Sequence, residues 1–303
     1  MSDIHFRCTA CGKCCSTSPE MTLLEAIALG DVFVPALLHK VSRVPRDGND
    51  AGMANLHVEP EFADVDRKTY LRTTFDSMKE TAAHVGSEPG WDIYFTFMAR
   101  PFGYPRSMTK NGKPACPALA DDGKACTIHE RRPYTCRTVP ARYDVPVPLL
   151  SRAFRFEVER GRQKLGYECD TSAEAPPFLR EDGTVTNPEY AKARSDAREA
   201  AKKEQILAER LVRSSNVLGV RDVLRVMGRD MVVPGPFVGV LVEARAVDLV
   251  DDATVKRFCD AQIALLDREI TAALGRSDKT ERPFTQRFRE LKTAYEGLRT
   301  QVP

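Results

Sequence analysis

The feature that most restricts the fold of this chain is a run of cysteines near its N-terminus. Cys8, Cys11, Cys14 and Cys15 lie within eight residues, in the segment F-R-C-T-A-C-G-K-C-C-S. Thiols that lie this close together in the sequence can act together as ligands of a bound cation. The sequence therefore predicts an irregular, cysteine-rich metal-binding region.

A second thiol-bearing segment lies about a hundred residues further on and carries Cys116, Cys126 and Cys136. Each Cys-x2-Cys turn of the first run places two sulfurs within reach of one cation. Three thiols at this spacing with a distant fourth resemble the ligand run of bacterial ferredoxins, in which proline often follows the remote ligand. Cys116 fits the remote position because Pro117 follows it. Zinc, held by four thiolates or by three with a histidine, is the alternative metal.

The number of cysteines suggests two centres. Cys14 and Cys15 are adjacent and tend to point to different sides, so they do not easily serve one mononuclear site. One predicted centre takes Cys8, Cys11, Cys14 and Cys116, and the other takes Cys15, Cys126, Cys136 and Cys169. Sequence order does not fix which thiols meet in space. Cys259, at an apolar position of a predicted helix, is interpreted as a small buried hydrophobe.

Other polar residues accompany the second segment. His129 lies three residues after Cys126, a spacing that permits chelation, although a lone histidine is usually structural or exposed. Arg131, Arg132 and Arg137 surround Cys136, where guanidinium groups would offset the charge of thiolates. Binding of an anionic substrate by these arginines stays open.

The amino-acid composition indicates a folded globular protein. The 303 residues are 42% hydrophobic and 29% charged, which is typical of a folded globular protein. The net charge of +2 gives no reason to predict a nucleic-acid or anionic-membrane partner. The first residues lack the apolar core of a signal peptide, and no apolar run approaches the roughly 18 residues that span a bilayer. We therefore expect a cytoplasmic protein whose clustered thiols bind metal or act in redox chemistry. The oligomeric state is not predictable.

Sequence periodicity predicts a mainly α fold with few short strands. A 1–187 cysteine-cluster domain and a 188–303 helical region are the predicted units. The predicted helices cover 16–40 (capped by Ser18 or Thr17, with Pro19 in its first turn), 61–86, 188–214, 216–229, 253–275 and 282–299. Aromatic residues at 91–101 predict a strand, residues 43–60 a loop, and the prolines and glycines of 140–187 irregular backbone.

The two cysteine segments together resemble a known family. C-T-A-C-G-K-C-C at 8–15, followed by C-P-A-L at 116–119 and C-T-I-H-E-R-R-P-Y-T-C-R at 126–137, is similar to the YkgJ-like cysteine-cluster family of zinc- or iron-chelating proteins. His129 departs from the family pattern, in which tyrosine is more frequent. The resemblance implies a metal cofactor more than a reaction. A relative of the family, flagellin lysine-N-methylase, resembles an iron–sulfur protein that transfers a methyl group from S-adenosylmethionine to lysine.

Two functional hypotheses follow from these observations. In the first, iron–sulfur clusters, preferably 4Fe-4S, serve a transferase or oxidoreductase that modifies a protein or peptide. In the second, zinc is a structural staple for backbone with little regular structure, and the helical half binds a partner. Metal storage or trafficking is a third and weaker hypothesis. Neither a G-x-G-x-x-G loop nor the C-x3-C-x2-C motif of radical S-adenosylmethionine enzymes is present, and no hydrolase motif is recognisable.

Overall fold

The computed structural model describes residues 3–16, 19–43, 46–47, 58, 60–84, 92–101, 116–213, 233–235 and 237–303. The fold is mainly α with a few short strands, as predicted. The helices are α1 (Leu23–Ala28), α2 (Arg67–His84), α3 (Tyr134–Arg137), α4 (Val147–Leu165), α5 (Pro188–Arg213), α6 (Phe237–Ala246), α7 (Asp252–Arg276) and α8 (Arg282–Gln301). The strands are β1 (Asp3–His5), β2 (Pro35–Arg43), β3 (Asp92–Pro101), β4 (Pro177–Arg180) and β5 (Val233–Gly235).

The strands form two small antiparallel sheets. In one sheet β2 lies between β3 and β5, and in the other β1 pairs with β4. The strand predicted at 91–101 is confirmed as β3, and α5 lies against it. Both sheets join segments that are far apart in sequence, so they tie the N-terminal residues to the rest of the chain.

Three predicted helices, α5, α7 and α8, are confirmed within two residues of their expected bounds. Helix α2 is confirmed within the predicted 61–86 but begins six residues later, at Arg67. Asp251 caps α7 by accepting a hydrogen bond from the Thr254 amide at 2.7 Å. Helices α7 and α8 pack against each other. The helix predicted at 216–229 lies outside the described residues, as do most of the loop predicted at 43–60 and the predicted caps Thr17 and Ser18.

The single helix predicted over 16–40 is wrong. Thr22 begins α1 with a capping box, in which its hydroxyl accepts from the Glu25 amide and the Glu25 carboxylate accepts from the Thr22 amide at 2.9 Å. The helix ends after six residues, and residues from Pro35 onwards join β2. Partners distant in sequence thus override the helical spacing at 35–40.

The prediction of irregular backbone over 140–187 is also wrong, because this segment contains α4. Pro146 precedes the helix and Pro148 lies in its first turn, where proline needs no amide donor. Leu150, Phe154 and Val158 then follow at helical spacing and are buried. Helix α6 was not predicted at all, since its residues are apolar on nearly every side and show no contrast between faces.

The buried residues form two hydrophobic clusters. The first cluster joins α1 and the segment around Cys116 to α6, α7 and α8, and Cys15 and Cys126 pack against it. The second joins β1 and β4 to α4 and the start of α5, and Cys169 packs against it. The first cluster takes residues from both predicted domains, while the boundary at 187/188 itself stays a prediction. The cysteine segments therefore contact both clusters.

Within the described part of the chain, no helix has the length and apolar character needed to cross a membrane.

Candidate metal centre

The segment from Cys116 to Ile128 forms a tight antiparallel turn. The amides of Ala120 and Thr127 donate to the carbonyls of Ala125 and Ala118, each at 2.8 Å. Leu119 and Cys126 form an antiparallel bridge. Two thiol-bearing residues are thereby held at the base of one turn, on opposite arms.

The N-terminal run docks onto this turn through its backbone. The Cys116 amide donates to the Cys15 carbonyl at 2.9 Å, which links segments a hundred residues apart. Gly12 has φ +72°, and a Cβ atom there would lie 2.8 Å from the Lys124 carbonyl oxygen and still closer to that of Gly123. Glycine is required at position 12 both for its conformation and for this close approach.

Cys136 is positioned by helix α3, which is anchored to the first turn of α1 and to the residues before it. The Tyr134 amide donates to the Glu25 carboxylate at 2.5 Å, and the Thr135 hydroxyl donates to the Glu20 carbonyl at 2.6 Å. The Cys136 amide donates to the Pro133 carbonyl at 2.9 Å. Glu25 thus links the start of α1 to the short helix that carries Cys136.

Cys169 is placed beside Cys8 by a short antiparallel pairing. Arg7 and Asp170 exchange two backbone hydrogen bonds of 2.9 and 3.1 Å, and their side chains form an ion pair at 2.5 Å. The Thr9 hydroxyl then donates to the Glu168 carbonyl at 3.0 Å. Because residues facing each other in an antiparallel pair run in opposite order, Cys8 lies opposite Cys169.

The electrostatic neighbours of Cys136 define one group of thiols. Burial, together with the charge that neighbouring thiolates would carry, raises the pKa of Cys136 to about 12. These neighbours, in order of effect, are Cys116, Cys14 and Cys126.

A second group surrounds Cys169. Burial, together with the charge that Cys11, Cys8 and Cys14 would carry as thiolates, raises the pKa of Cys169 to about 11. This arrangement differs from the predicted partition, which assigned Cys116 to the N-terminal thiols and Cys169 to Cys126 and Cys136. Which thiols share a metal stays a prediction.

Cys14 belongs to both neighbourhoods. Its thiol is hydrogen-bonded to that of Cys15, which raises the pKa of Cys14 above its usual value. Tyr167 lies near Cys14 and Cys169, and burial with the nearby Cys14 raises the pKa of its phenol to about 12. The Tyr167 ring packs against Gly161, where a Cβ atom would overlap it. Cys14 therefore occupies the junction of the two thiol groups.

Among the three arginines, Arg132 has the predicted electrostatic effect, since it lowers the pKa of both Cys14 and Cys136. Its Nε donates to the His129 carbonyl at 2.9 Å. Arg131 forms a bidentate pair with Asp31, at 2.7 and 3.2 Å. Arg137 donates to the Arg132 carbonyl at 2.7 Å and therefore braces the loop.

The remaining candidates have ordinary structural environments. His129 is half-exposed, and its Nδ1 lies 3.3 Å from the Glu130 carboxylate. Cys259 is fully buried in α7, which confirms its interpretation as a core residue. All nine cysteines carry free thiols.

The donor set fits a soft cation better than a hard one. Thiols suit zinc or iron–sulfur clusters, whereas magnesium and calcium prefer oxygen ligands. Burial without a compensating cation keeps Cys136 and Cys169 protonated, as their raised pKa values show. As the described side chains are arranged, no three Cys, His, Asp or Glu residues would hold an ion without adjustment. Metal binding would thus require deprotonation of these thiols.

A comparison with known families agrees with this chemistry. Residues 60–170 match a family model described as "CxxCxxCC: Putative zinc- or iron-chelating domain". The match confirms the resemblance to the cysteine-cluster family and supports metal binding. It includes Cys116, Cys126, Cys136 and Cys169 but not the N-terminal run, although residues 8–15 themselves read C-x-x-C-x-x-C-C. No curated protein and no solved structure matches the chain.

Sequence reasoning missed three residues that position the thiols. Gly12 carried a recognisable signal, because glycine between two closely spaced cysteines indicates a backbone conformation with positive φ. Glu25 and Tyr167 carried none, since their roles depend on contacts with segments distant in sequence.

Proposed function

We propose that this protein binds metal through its clustered thiolates and that the metal is present as an iron–sulfur cluster. The observation that carries the proposal is the docking of the two cysteine segments, through the Cys116–Cys15 backbone hydrogen bond and the close contact of Gly12 with residues 123 and 124. Such a constrained contact between two thiol-bearing loops stabilises an arrangement in which ligands from both can converge.

The proposed ligands fall into the two groups that surround Cys136 and Cys169. The first group would use Cys116, Cys126 and Cys136, and the second would use Cys8, Cys11 and Cys169. Cys14 and Cys15 lie at the junction and would complete the two four-thiolate sets. The positive charge of Arg132 would offset part of the negative charge of the first group.

Iron–sulfur is preferred to zinc because Cys8, Cys11 and Cys14 have the C-x2-C-x2-C spacing of a ferredoxin ligand run. When bound, such a cluster supplies electron transfer or Lewis-acid chemistry. We extend the proposal to the modification of a protein or peptide in the cytoplasm, on the strength of the family resemblance. Among the residues of the chain itself, Tyr167 and Arg132 lie near Cys14.

A structural zinc site is the second candidate, and packing favours it. Cys116 lies within the first hydrophobic cluster, and Cys15 and Cys126 pack against it. A metal bound there would hold together the core beneath it, which is the usual role of a structural zinc ion.

Elemental analysis of protein purified without oxygen tests both candidates. An iron–sulfur cluster should give iron with an equal amount of sulfide and a brown protein. Stoichiometric zinc in a colourless protein would instead favour the structural zinc site. Protein with neither metal would refute metal binding.

The Cys116→Ser variant tests the ligand assignment, with Cys259→Ser as its matched control, because both cysteines are buried in the same hydrophobic cluster. We expect loss of metal from the first variant and full metal content in the second. Equal metal content in the two variants would contradict the assignment of Cys116.

A further inference from the structure

The pairing of Arg7 with Asp170 gives Cys8 and Cys169 a specific geometric relation. Arg7 and Asp170 exchange both of their backbone hydrogen bonds and so form an isolated antiparallel bridge. The next two residues, Cys8 and Cys169, then occupy a position without ladder hydrogen bonds. In a regular antiparallel pair the Cα atoms at such a position are roughly 4.5 Å apart and the side chains project to the same face, and we use this geometry for Cys8 and Cys169.

This separation is within the range that a disulfide bond requires. Disulfides join residues whose Cα atoms are usually about 4.4–6.8 Å apart, so the backbone needs little movement to bring these two sulfurs together. The pairing is fixed from both sides, by the Arg7–Asp170 ion pair and by the Thr9 hydroxyl on the Glu168 carbonyl. Arg162 also donates to the Cys169 carbonyl at 3.1 Å.

Accessibility differs between the two thiols. Cys8 is exposed, whereas Cys169 is partly buried against the second hydrophobic cluster. An oxidant in solution therefore meets Cys8 before Cys169, which makes Cys169 the resolving thiol of the pair.

We propose that Cys8 and Cys169 form a peroxide-sensitive dithiol. Its closure to a disulfide blocks metal binding by the cysteines that surround Cys169. Hydrogen peroxide oxidises the Cys8 thiol to a sulfenic acid, and one water leaves. The Cys169 sulfur then attacks the Cys8 sulfur, the S–OH bond breaks, and a second water leaves with the released proton. Two thiols are oxidised to one disulfide while one peroxide is reduced to two waters. The link to metal binding rests on the proposed function, but formation of the disulfide does not.

Peptide mapping after oxidation tests this proposal. The protein as purified is treated with hydrogen peroxide, its remaining thiols are alkylated, and it is digested with trypsin without reduction. Cys8 lies in the tryptic peptide 8–13 together with Cys11, and Cys169 lies in 165–180. We expect these two peptides to be joined, with the link lost in Cys8→Ser and Cys169→Ser and retained in Cys11→Ser.

Other disulfides would overturn the proposal. A bond inside peptide 8–13, a Cys14–Cys15 bond, or a link that survives Cys8→Ser would each show that Cys8 and Cys169 are not the pair. Circular dichroism of every variant before oxidation verifies that it is folded. If Cys8→Ser does not fold, Cys8→Ala and the wild-type peptide map decide the question.

Metal protection separates this proposal from the proposed function. Metal-loaded and chelator-treated protein are both treated with hydrogen peroxide. The Cys8–Cys169 disulfide should form at least about tenfold more slowly in the metal-loaded protein, since ligated thiolates are not free to react. Equal rates would overturn the coupling to metal. Protein that forms the link but contains no metal at any stage of purification would refute the proposed function and leave the dithiol assignment intact.

Discussion

Gly12 offers the sharpest test of how the two cysteine segments are held together. Its φ of +72° lies in the left-handed region, and a Cβ atom would meet the backbone carbonyl groups of residues 123 and 124. Backbone atoms cannot rotate away as the end of a long side chain would. Gly12→Ala should therefore push the N-terminal run off the turn that carries Cys116 and Cys126.

Two effects combine in the expected loss of stability. Placing a residue other than glycine in the left-handed region costs about 1–2 kcal/mol, and the overlap with a packed backbone costs about 1–3 kcal/mol. The sum, about 2–5 kcal/mol, is a large part of the 5–15 kcal/mol that typically stabilises a folded protein. We also expect reduced metal content, because the ligands of the two segments would no longer converge.

Gly166→Ala is the matched control. Gly166 has φ +71°, nearly the same as Gly12, but no atom lies within 4 Å of the position its Cβ would take. Both variants share the conformational cost and the change in the unfolded state, so the difference between them measures the overlap alone. Urea unfolding of both variants, with metal analysis of each, should give a gap of about 1–3 kcal/mol and metal loss confined to Gly12→Ala. Equal stability and equal metal content in the two variants would show that the contact with 123 and 124 does not hold the segments.

Three further predictions concern the cap of α1, a buried carboxylate and the thiols. Thr22→Ala removes the capping box and should lower the free energy of unfolding by about 0.5–2 kcal/mol, whereas Thr22→Ser should keep most of the stability. Chemical unfolding measures both variants, and an alanine variant as stable as the wild type would show that the cap does not stabilise α1. Burial raises the pKa of Glu204, whose carboxylate accepts a hydrogen bond from the Leu23 amide. As the pH rises past the ordinary pKa of glutamate, the unfolded chain loses this proton before the native protein does. The stability of the wild type should therefore fall relative to that of Glu204→Gln. Parallel curves of unfolding free energy against pH for the two proteins, between pH 4 and 8, would refute this. Cys136 and Cys169 are protonated at neutral pH, so metal binding should release protons and strengthen by about tenfold per pH unit for each proton released. Calorimetry in buffers of different ionisation enthalpy measures that release, and a buffer-independent enthalpy would refute it.

The fold was predictable where the periodicity was long and uninterrupted. Helices α5, α7 and α8 each keep a helical pattern over 20 residues or more, so local sequence is sufficient to define them. Helix α4 was missed because the prolines at its N-terminus are also typical of loops, although proline is well tolerated in the first turn of a helix. Strand β2 was missed because pairing with β3, some fifty residues away, decides its conformation.

The candidate site shows the same division between local and distant information. Spacing and density identified the cysteines of the candidate centre and correctly set Cys259 apart. The grouping of thiols was not predictable, because it depends on the Arg7–Asp170 pairing across 163 residues and on the anchoring of α3 by Glu25. These contacts leave no trace in the order of residues along the chain.

The first hydrophobic cluster also determines how this protein can be divided. Leu23 and Phe33 are fully buried against residues of α6, α7 and α8, such as Phe258 and Tyr295. A fragment that stops at residue 187 would uncover this apolar surface immediately beneath Cys15 and Cys116. We therefore expect such a fragment to aggregate and to lose its metal even though every candidate ligand is present. Limited proteolysis of the intact protein, with the pieces kept together, is the more suitable way to study its two halves.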